Sequence, residues 1–300
     1  MSDTSQTQTS APRIGAVFPQ TELASDTGAV RAWAQEVERA GYQHALIYDH
    51  VVGADPAVHA PWRGPYNVTT TFREPFVVFG YLAALTGLEL VTGVIILPQR
   101  QTALVAKQAA EVDLLTGGNF RLGVGIGWNH VEYEALGKNF KDRGRRSEEQ
   151  IDLLRRLWTE PSVTFEGKHE QVTGAGISPL PVQRPIPVWI GGSSPRAYER
   201  IGRLADGWFP QVQPGPELDE ARAVVDQGAR DAGRDPATLG LEGRVSYTGD
   251  TDAVVAAIEA WRAVGATHVS VNTMGAGLTS ADAHLKVLSE IASAAGLAAA

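Results

Sequence analysis

A chain of 300 residues with a net charge of −8 and no cysteine excludes several classes of protein. The negative charge argues against nucleic-acid binding, which depends on a basic surface, and the lack of cysteine excludes thiol nucleophiles, disulfides and iron–sulfur clusters. Because 43% of the residues are hydrophobic, the chain can bury a large core, and an α/β barrel commonly fills this length as one domain.

The first twelve residues are small and polar, and they lack the cationic start and apolar stretch of a signal peptide. We expect residues 1–12 to form a disordered tail and residues 13–300 to form a single domain. No stretch of the sequence is apolar for long enough to suggest a membrane span. These features predict a cytoplasmic protein that binds neither a membrane nor nucleic acid.

Short apolar runs alternate with helical patterns after the tail, which is typical of parallel strands joined by helices. Eight strands are predicted, at residues 14–18, 45–48, 90–95, 121–124, 187–190, 207–209, 239–245 and 268–271. Apolar residues at helical spacing follow the strands, and the first such run ends at Gly41. Eight strands at nearly even spacing predict a (β/α)8 TIM barrel. An open dinucleotide-binding sheet is not favoured, because its Gly-x-Gly-x-x-Gly pattern does not follow the first strand.

Two connections are longer than barrel turns require. The first, residues 51–73, carries three rings that suggest a pocket lid: His59, Trp62 and Tyr66. The second, residues 162–184, has Gly167 between two β-prone stretches and is predicted to form a hairpin. We expect both to lie over the C-terminal mouth of the barrel, with a solvent-facing decoration as the alternative for either.

Asp49 and His50 stand where the second strand ends, and the C-terminal ends of barrel strands carry active-site side chains. A histidine there can transfer a proton or polarise a reacting group near neutral pH. Asp49 could orient that histidine or cap the turn. The alternative is that His50 closes the top of the core without a catalytic role.

Glycines mark the third and fourth strands. Gly93 interrupts a β-branched run, which indicates a bulge, a close approach of a ligand or a packing contact. Three glycines of the fourth strand alternate and so share one face, leaving room for a ligand or a tight barrel contact: Gly123, Gly125 and Gly127. Trp128 and Asn129 then offer a stacking surface and an amide at the end of this strand.

The fifth strand is followed by Gly191, Gly192, Ser193 and Ser194, which lead directly into a helix that begins with proline. Glycine allows a close approach of the backbone, and free N–H groups at a helix N-terminus bind anions. This pattern predicts a phosphate-binding loop, while a simple helix cap on Ser194 is the alternative. The seven histidines are scattered without ligand spacing, so no metal site is predicted.

Taken together, these segments resemble the bacterial luciferase-like monooxygenase superfamily, and within it the branch of coenzyme F420-dependent oxidoreductases. The resemblance covers about residues 13–295. It rests on five segments in order: IGAVFPQ, AGYQHALIYDH, TGVIILPQRQTALVAKQAAEVDLLTGGNFRLGVGIGWNHVEYEALG, DRGRRSEEQIDLLRRLW and PVWIGGSSPRAYERIGRLADGW. The third segment is the most specific.

The resemblance implies a TIM barrel with insertions over its mouth and a flavin-like ring in that mouth. It places His50 beside the ring and a non-proline cis peptide at Gly93-Val94 behind it. It implies a cofactor wall at the turn of Gly127, Trp128 and Asn129, and a phosphate-binding segment over Gly191, Gly192, Ser193 and Ser194. Relatives in this superfamily are frequently dimers, so a homodimer is expected.

Three functions follow from this resemblance. The leading hypothesis is hydride transfer between coenzyme F420 and a small organic substrate, assisted by His50. The second is an FMN-dependent monooxygenase of the same superfamily, because the two cofactors share a tricyclic ring and a phosphate. The third is a cofactor-binding protein without turnover, against which the Asp49-His50 pair argues.

Overall fold

The computed structural model describes residues 11–23 and 25–298. The expected disordered tail therefore lies outside the described residues, except for Ala11 and Pro12, which precede the first strand without regular structure. None of the helices in these two ranges combines the length and the apolar character that a membrane crossing requires.

The regular elements alternate along the chain. The strands are β1 (Arg13–Val17), β2 (His44–Ile47), β3 (Glu89–Thr92), β4 (Ile95–Ile96), β5 (Phe120–Gly125), β6 (Val163–Glu166), β7 (Gln171–Ala175), β8 (Val188–Gly192), β9 (Gly207–Pro210), β10 (Gly240–Ser246) and β11 (His268–Asn272). The helices are α1 (Gln20–Leu23), α2 (Thr27–Arg39), α3 (Pro75–Ala83), α4 (Thr102–Leu115), α5 (His130–Ala135), α6 (Arg143–Thr159), α7 (Pro195–Leu204), α8 (Pro216–Asp231), α9 (Thr251–Ala263) and α10 (Ala281–Ala294). Short 3-10 turns cover Leu97–Gln99 and Pro236–Thr238.

The parallel strands close into a barrel. Their order is β3-β2-β1-β11-β10-β9-β8-β5, and a further pairing of β3 with β5 completes the circle. The predicted third strand is divided at Gly93-Val94 into β3 and β4, and both parts pair with β5. Eight strand positions surround the axis, which confirms the predicted (β/α)8 TIM barrel.

Helix α2 illustrates how the outer layer is specified. Asp26 caps its start, because its carboxylate accepts hydrogen bonds from the amides of Gly28 and Ala29. One face of the helix is buried against the barrel, with Trp33 fully enclosed. The helix ends before Gly41, whose φ of +93° lies in the left-handed region that glycine adopts without strain.

The second long connection forms the predicted hairpin. Strands β6 and β7 pair antiparallel, and Gly167 lies in the turn between them. The turn docks on α6, because the carboxylate of Glu149 accepts hydrogen bonds from the amides of Lys168, His169 and Glu170. The hairpin is thereby fixed to the outside of the barrel.

A layer of charged side chains crosses the barrel interior near the N-terminal ends of the strands. Arg121 is buried at its centre, where it donates to Glu89 at 2.9 Å and to Glu242 at 2.8 Å. The other oxygen of Glu242 lies 3.1 Å from Nε2 of His44. Burial alone would raise the pKa of the Glu242 carboxyl, but Arg121 and His44 outweigh burial and lower this pKa far below its ordinary range.

His268 lies at the edge of this charged layer and is held neutral. Burial lowers the pKa of its imidazole to about 2, and the positive charge of Arg121 acts in the same direction. An unfolded histidine takes up a proton below a pH of about 6.5. As the pH falls below that value, the unfolded chain therefore binds a proton that the folded chain does not, and the folded state loses stability.

Replacing His268 with asparagine is expected to reduce the acid sensitivity of the fold. Below pH 6.5, each unit of decrease in pH should lower the free energy of unfolding of the wild type by about 1.4 kcal/mol more than that of the variant. Urea denaturation at pH 6.5 and pH 5 measures the two losses, which should differ by about 2 kcal/mol. Equal losses in the two proteins would contradict the assignment of a neutral His268.

Candidate active site

A cavity of about 480 Å³ opens where the C-terminal ends of the barrel strands meet. All the predicted site residues except Asn129 line it: Asp49, His50, Gly93, Val94, Gly127, Trp128, Gly191, Gly192, Ser193 and Ser194. These residues come from four parts of the chain that are joined only by closure of the barrel. The predicted constellation is therefore a single site in space.

His50 follows β2 and forms part of the cavity wall. Its side chain is 13% exposed, and its ring is packed edge-on against Tyr66, Phe72 and Trp128. The Nδ1 atom lies 3.4 Å from a carboxylate oxygen of Glu132. The Nε2 atom makes no hydrogen bond to any residue that the structure describes, so it is the nitrogen left for a ligand.

Glu132 is a site residue that the sequence reasoning missed. It is buried in α5, where it also accepts hydrogen bonds from the Gln99 amide at 3.0 Å and from the backbone N–H of Val51. Burial raises the pKa of this carboxyl, but the hydrogen bonds from His50, Gln99 and Val51 together outweigh burial and lower the pKa. Glu132 is therefore a carboxylate at neutral pH, and it favours the His50 tautomer with the proton on Nδ1.

Asp49 lines the same cavity, but its carboxylate makes no hydrogen bond to the His50 ring. Its carboxylate accepts a hydrogen bond from Arg100 at 2.8 Å and one from the backbone N–H of Ile96 at 3.2 Å. Burial raises the pKa of Asp49, although the positive charge of Arg100 opposes this. Of the two roles considered for Asp49, the structure supports the structural one, because its carboxylate joins the ends of β2 and β4.

The glycines of the third and fourth strands allow neighbouring groups to pack closely against the barrel wall. The Gly93-Val94 peptide bond is cis, as the family resemblance led us to expect. A side chain on Gly125 would place its Cβ 2.6 Å from Val94, and one at Gly127 would place it 2.8 Å from Ile96. At Gly123 a side chain would collide with a backbone carbonyl of β3. Tight barrel contacts thus account for the alternating glycines without a ligand.

Trp128 and Asn129 separate in the structure. Trp128 is 38% exposed and lines the cavity, with its ring centroid 5.8 Å from that of Trp62. Asn129 is buried and begins α5, since its side-chain oxygen accepts hydrogen bonds from the amides of Val131 and Glu132. Asn129 does not line the main cavity, because its side-chain oxygen caps the helix that carries Glu132, and its predicted contact with a cofactor stays a prediction.

The loop before α7 contains the helix cap that was the alternative interpretation of its sequence. Ser194 caps the helix through a hydrogen bond from the Ala197 amide at 3.3 Å. Gly192 is required by packing, because a Cβ there would lie 2.6 Å from Ala197. Ser193 and Ser194 are exposed to the cavity, so the predicted phosphate-binding role stays a prediction.

Arg200 is a second residue that the sequence reasoning missed. It is buried in α7, lines the cavity and pairs with Glu148 at 2.9 Å. No local pattern predicted that Arg200 lines the cavity. It stands in the middle of a helical run whose apolar residues are explained by packing alone. The structure places its guanidinium on the same wall as the loop before α7.

The two long connections differ in their relation to the cavity. Tyr66 of residues 51–73 lines it, and this segment also encloses a second cavity of about 280 Å³ that His50 shares. The expectation that the segment lies over the mouth is confirmed. The same expectation for residues 162–184 is wrong, because none of them lines the main cavity in the described chain.

The contacts of Glu132 give a direct test of how His50 is held. In a Glu132→Gln variant, an amide N–H faces His50 where the carboxylate oxygen stood. We expect Nδ1 to become the acceptor and the proton to move to Nε2. Nitrogen-15 NMR of the histidine ring reports this change of tautomer.

The matched control is Glu134→Gln, which removes an exposed carboxylate from the same short helix. This control should keep the wild-type tautomer of His50. A wild-type tautomer in the Glu132→Gln protein would show that Glu132 does not orient the ring.

Comparison with known proteins agrees with this geometry. A family model described as luciferase-like monooxygenase matches residues 8–295. The chain is 31% identical to an F420-dependent glucose-6-phosphate dehydrogenase of Intrasporangium calvum, over 75% of this chain and 67% of that protein. It is 30% identical to an FMNH2-dependent dimethylsulfone monooxygenase of Pseudomonas putida, over 65% of this chain and 51% of that protein.

A solved structure shares the fold. The coenzyme F420-dependent tetrahydromethanopterin reductase from Methanopyrus kandleri superposes with a TM-score of 0.73, over 94% of this chain and 97% of that one. At 15% identity this likeness concerns the fold alone. Because the family model spans nearly the whole chain, and the barrel carries its cavity at the mouth, this chain belongs to the luciferase-like monooxygenase family.

Proposed function

We propose that the chain is an oxidoreductase that transfers a hydride between coenzyme F420 and a small organic substrate. The observation that carries the proposal is that one cavity is lined by His50, the Gly93-Val94 peptide and the loop before α7. A proton-transfer group, a stretch of backbone for a ring to lie against and a loop predicted to bind a phosphate are what a tricyclic redox cofactor with a phosphate needs from a protein.

The residues present fit such a group. A cavity of about 480 Å³ lies within the range of ordinary cofactor sites. The Gly93-Val94 peptide lines the cavity, where a planar ring can lie against it. At the other end, Ser193 and Ser194 offer hydroxyls to a phosphate, whereas in the first turn of α7 Pro195 has no N–H and the Ala197 N–H already donates to Ser194.

The chain's own part in the reaction centres on His50. When bound, the deazaflavin supplies or accepts the hydride. His50 transfers a proton to or from the reacting group of the substrate at Nε2, because Nδ1 is directed at Glu132. The rings of Tyr66, Phe72 and Trp128 hold the imidazole in place and shield it from water.

FMN is the alternative cofactor, since one relative is named as FMNH2-dependent. An F420-dependent and an FMNH2-dependent relative are both 31% identical to this chain, over 75% and 71% of it, so the choice between the cofactors rests on a direct measurement. Calorimetric titration of the purified protein with F420 and with FMN tests the choice. We expect F420 to bind at least about tenfold more tightly, which corresponds to about 1.4 kcal/mol. Tighter binding of FMN would contradict the proposal, as would failure of both to bind.

A further inference from the structure

Arg244 is a positive charge on the cavity wall whose partners are all neutral. Its guanidinium donates to the hydroxyl of Tyr48 at 3.4 Å and to the side-chain oxygen of Gln211 at 3.2 Å. No carboxylate lies within 4.0 Å of it among the residues that the structure describes. The side chain is half-buried, so its charge is only partly solvated.

Each of the other arginines at or below this cavity has a carboxylate partner, although Arg200 shares Glu148 with Arg203. Arg100 pairs with Asp49 and Glu74, Arg121 pairs with Glu89 and Glu242, and Arg200 pairs with Glu148. The two carboxylates that line the cavity, Asp49 and Glu242, are therefore already committed to other arginines. Burying even part of a charge without a counter-ion costs free energy, and a ligand of opposite charge would recover it.

The position of Arg244 separates it from the surfaces assigned to the cofactor. It lies on β10, which is four strands away from β3 in either direction around the eight-stranded ring. It therefore faces the Gly93-Val94 peptide across the barrel. Its side-chain contacts are with Tyr48 and Gln211, and none is with the loop of residues 191–194.

Tyr48 connects this charge to the proposed reaction centre. Tyr48 precedes His50 by two residues on the same strand end, and both line the cavity. A ring lying on Gly93-Val94 leaves its other face toward β10, which is where a substrate must lie to reach it. A substrate that touches both His50 and this face therefore comes within reach of Arg244.

We propose that Arg244 binds an anionic group of the substrate, so that the substrate class is small organic acids, whether carboxylates, phosphate esters or sulfonates. The inference rests on the proposed function, because it takes the opposite wall to be occupied by the cofactor. The planar guanidinium with Tyr48 and Gln211 beside it provides several donors to one set of anionic oxygens.

Benzoate and benzamide form a suitable probe pair, because they have the same shape and differ in charge. The protein saturated with F420 is titrated with each by calorimetry, and the titrations are repeated without cofactor. We expect the wild-type protein to bind benzoate about tenfold more tightly than benzamide, and Arg244→Gln to lose that preference. Arg244→Lys, which keeps the charge, should retain part of it.

The matched control is Arg222→Gln, which removes a half-buried arginine outside the cavity whose side chain donates to the Val264 carbonyl. It should keep the benzoate preference. The proposal is overturned if the wild-type protein shows no preference, or if Arg244→Gln keeps it.

Binding of F420 to the variants distinguishes the substrate from the cofactor. Arg244→Gln should bind F420 as the wild type does. A loss of about tenfold or more in F420 affinity would assign Arg244 to the cofactor and overturn the proposal. If the wild-type protein fails to bind F420, the proposed function fails, while the titrations without cofactor still decide whether Arg244 selects an anion.

Discussion

Replacing His50 with alanine is expected to lower kcat by about 10²- to 10⁴-fold, the range in which a positioned acid or base acts. The cavity wall would otherwise persist, since Tyr66 and Phe72 pack on each other and Trp128 packs on Trp62. The affinity for F420 should therefore remain close to that of the wild type. The rate is measured with the substrate that gives the fastest wild-type turnover in a screen of alcohols and aldehydes that includes compounds with a carboxylate or phosphate group.

A matched control for this variant is His59→Ala. His59 belongs to the same long connection and is half-buried against Trp62 and His130, but it does not line the main cavity. Its loss should leave kcat within a few-fold of the wild type. Unchanged turnover in the His50→Ala protein would remove this residue from the mechanism, whatever the control shows.

Replacing Arg121 with methionine is expected to lower the free energy of unfolding by about 3–5 kcal/mol. The substitution keeps an unbranched side chain, shorter and apolar, but leaves Glu89 and Glu242 as buried carboxylates without their shared partner. It also removes the cation that stacks over the Trp189 ring at 4.4 Å. Urea denaturation measures the loss, and an unchanged slope of the transition confirms that cooperativity is kept.

A second substitution separates the loss of packing from the loss of charge balance. In the double variant Arg121→Met, Glu242→Gln one buried negative charge is removed together with the positive one. Much of the lost stability should return, because an uncompensated buried charge costs more than a removed pair. A double variant no more stable than the single one would show that packing of Arg121, not charge, supports the charged layer.

The barrel could be predicted from the sequence because each strand is a short run of buried apolar residues between turn signals. The interruption of the third strand at Gly93-Val94 was marked only by its glycine. Helix α5 was missed, since six residues are too few for helical spacing to be distinguished from chance. The charged layer could not be predicted, because His44, Arg121 and Glu242 are brought together only when the barrel closes.

In the site too, features that depend on local sequence were predicted and features that depend on closure of the barrel were not. His50 and the loop before α7 were found because strand ends and helix starts are local features. Glu132 had a local signal, since it stands three residues after Asn129 at the spacing of a capping box, but that pattern indicates a helix start and not a partner for a histidine. Arg244 had no local signal in the sequence, because its lack of a carboxylate partner is a property of the folded barrel.

The central claim is that the wall of Gly93-Val94 and the loop of residues 191–194 hold the two ends of one cofactor beside His50. A crystal structure of the protein grown with F420 tests it most directly. We expect electron density for the ring against Gly93-Val94 and for the phosphate at Ser193 and Ser194. Density for the ring outside this cavity, or a phosphate bound away from α7, would contradict the account.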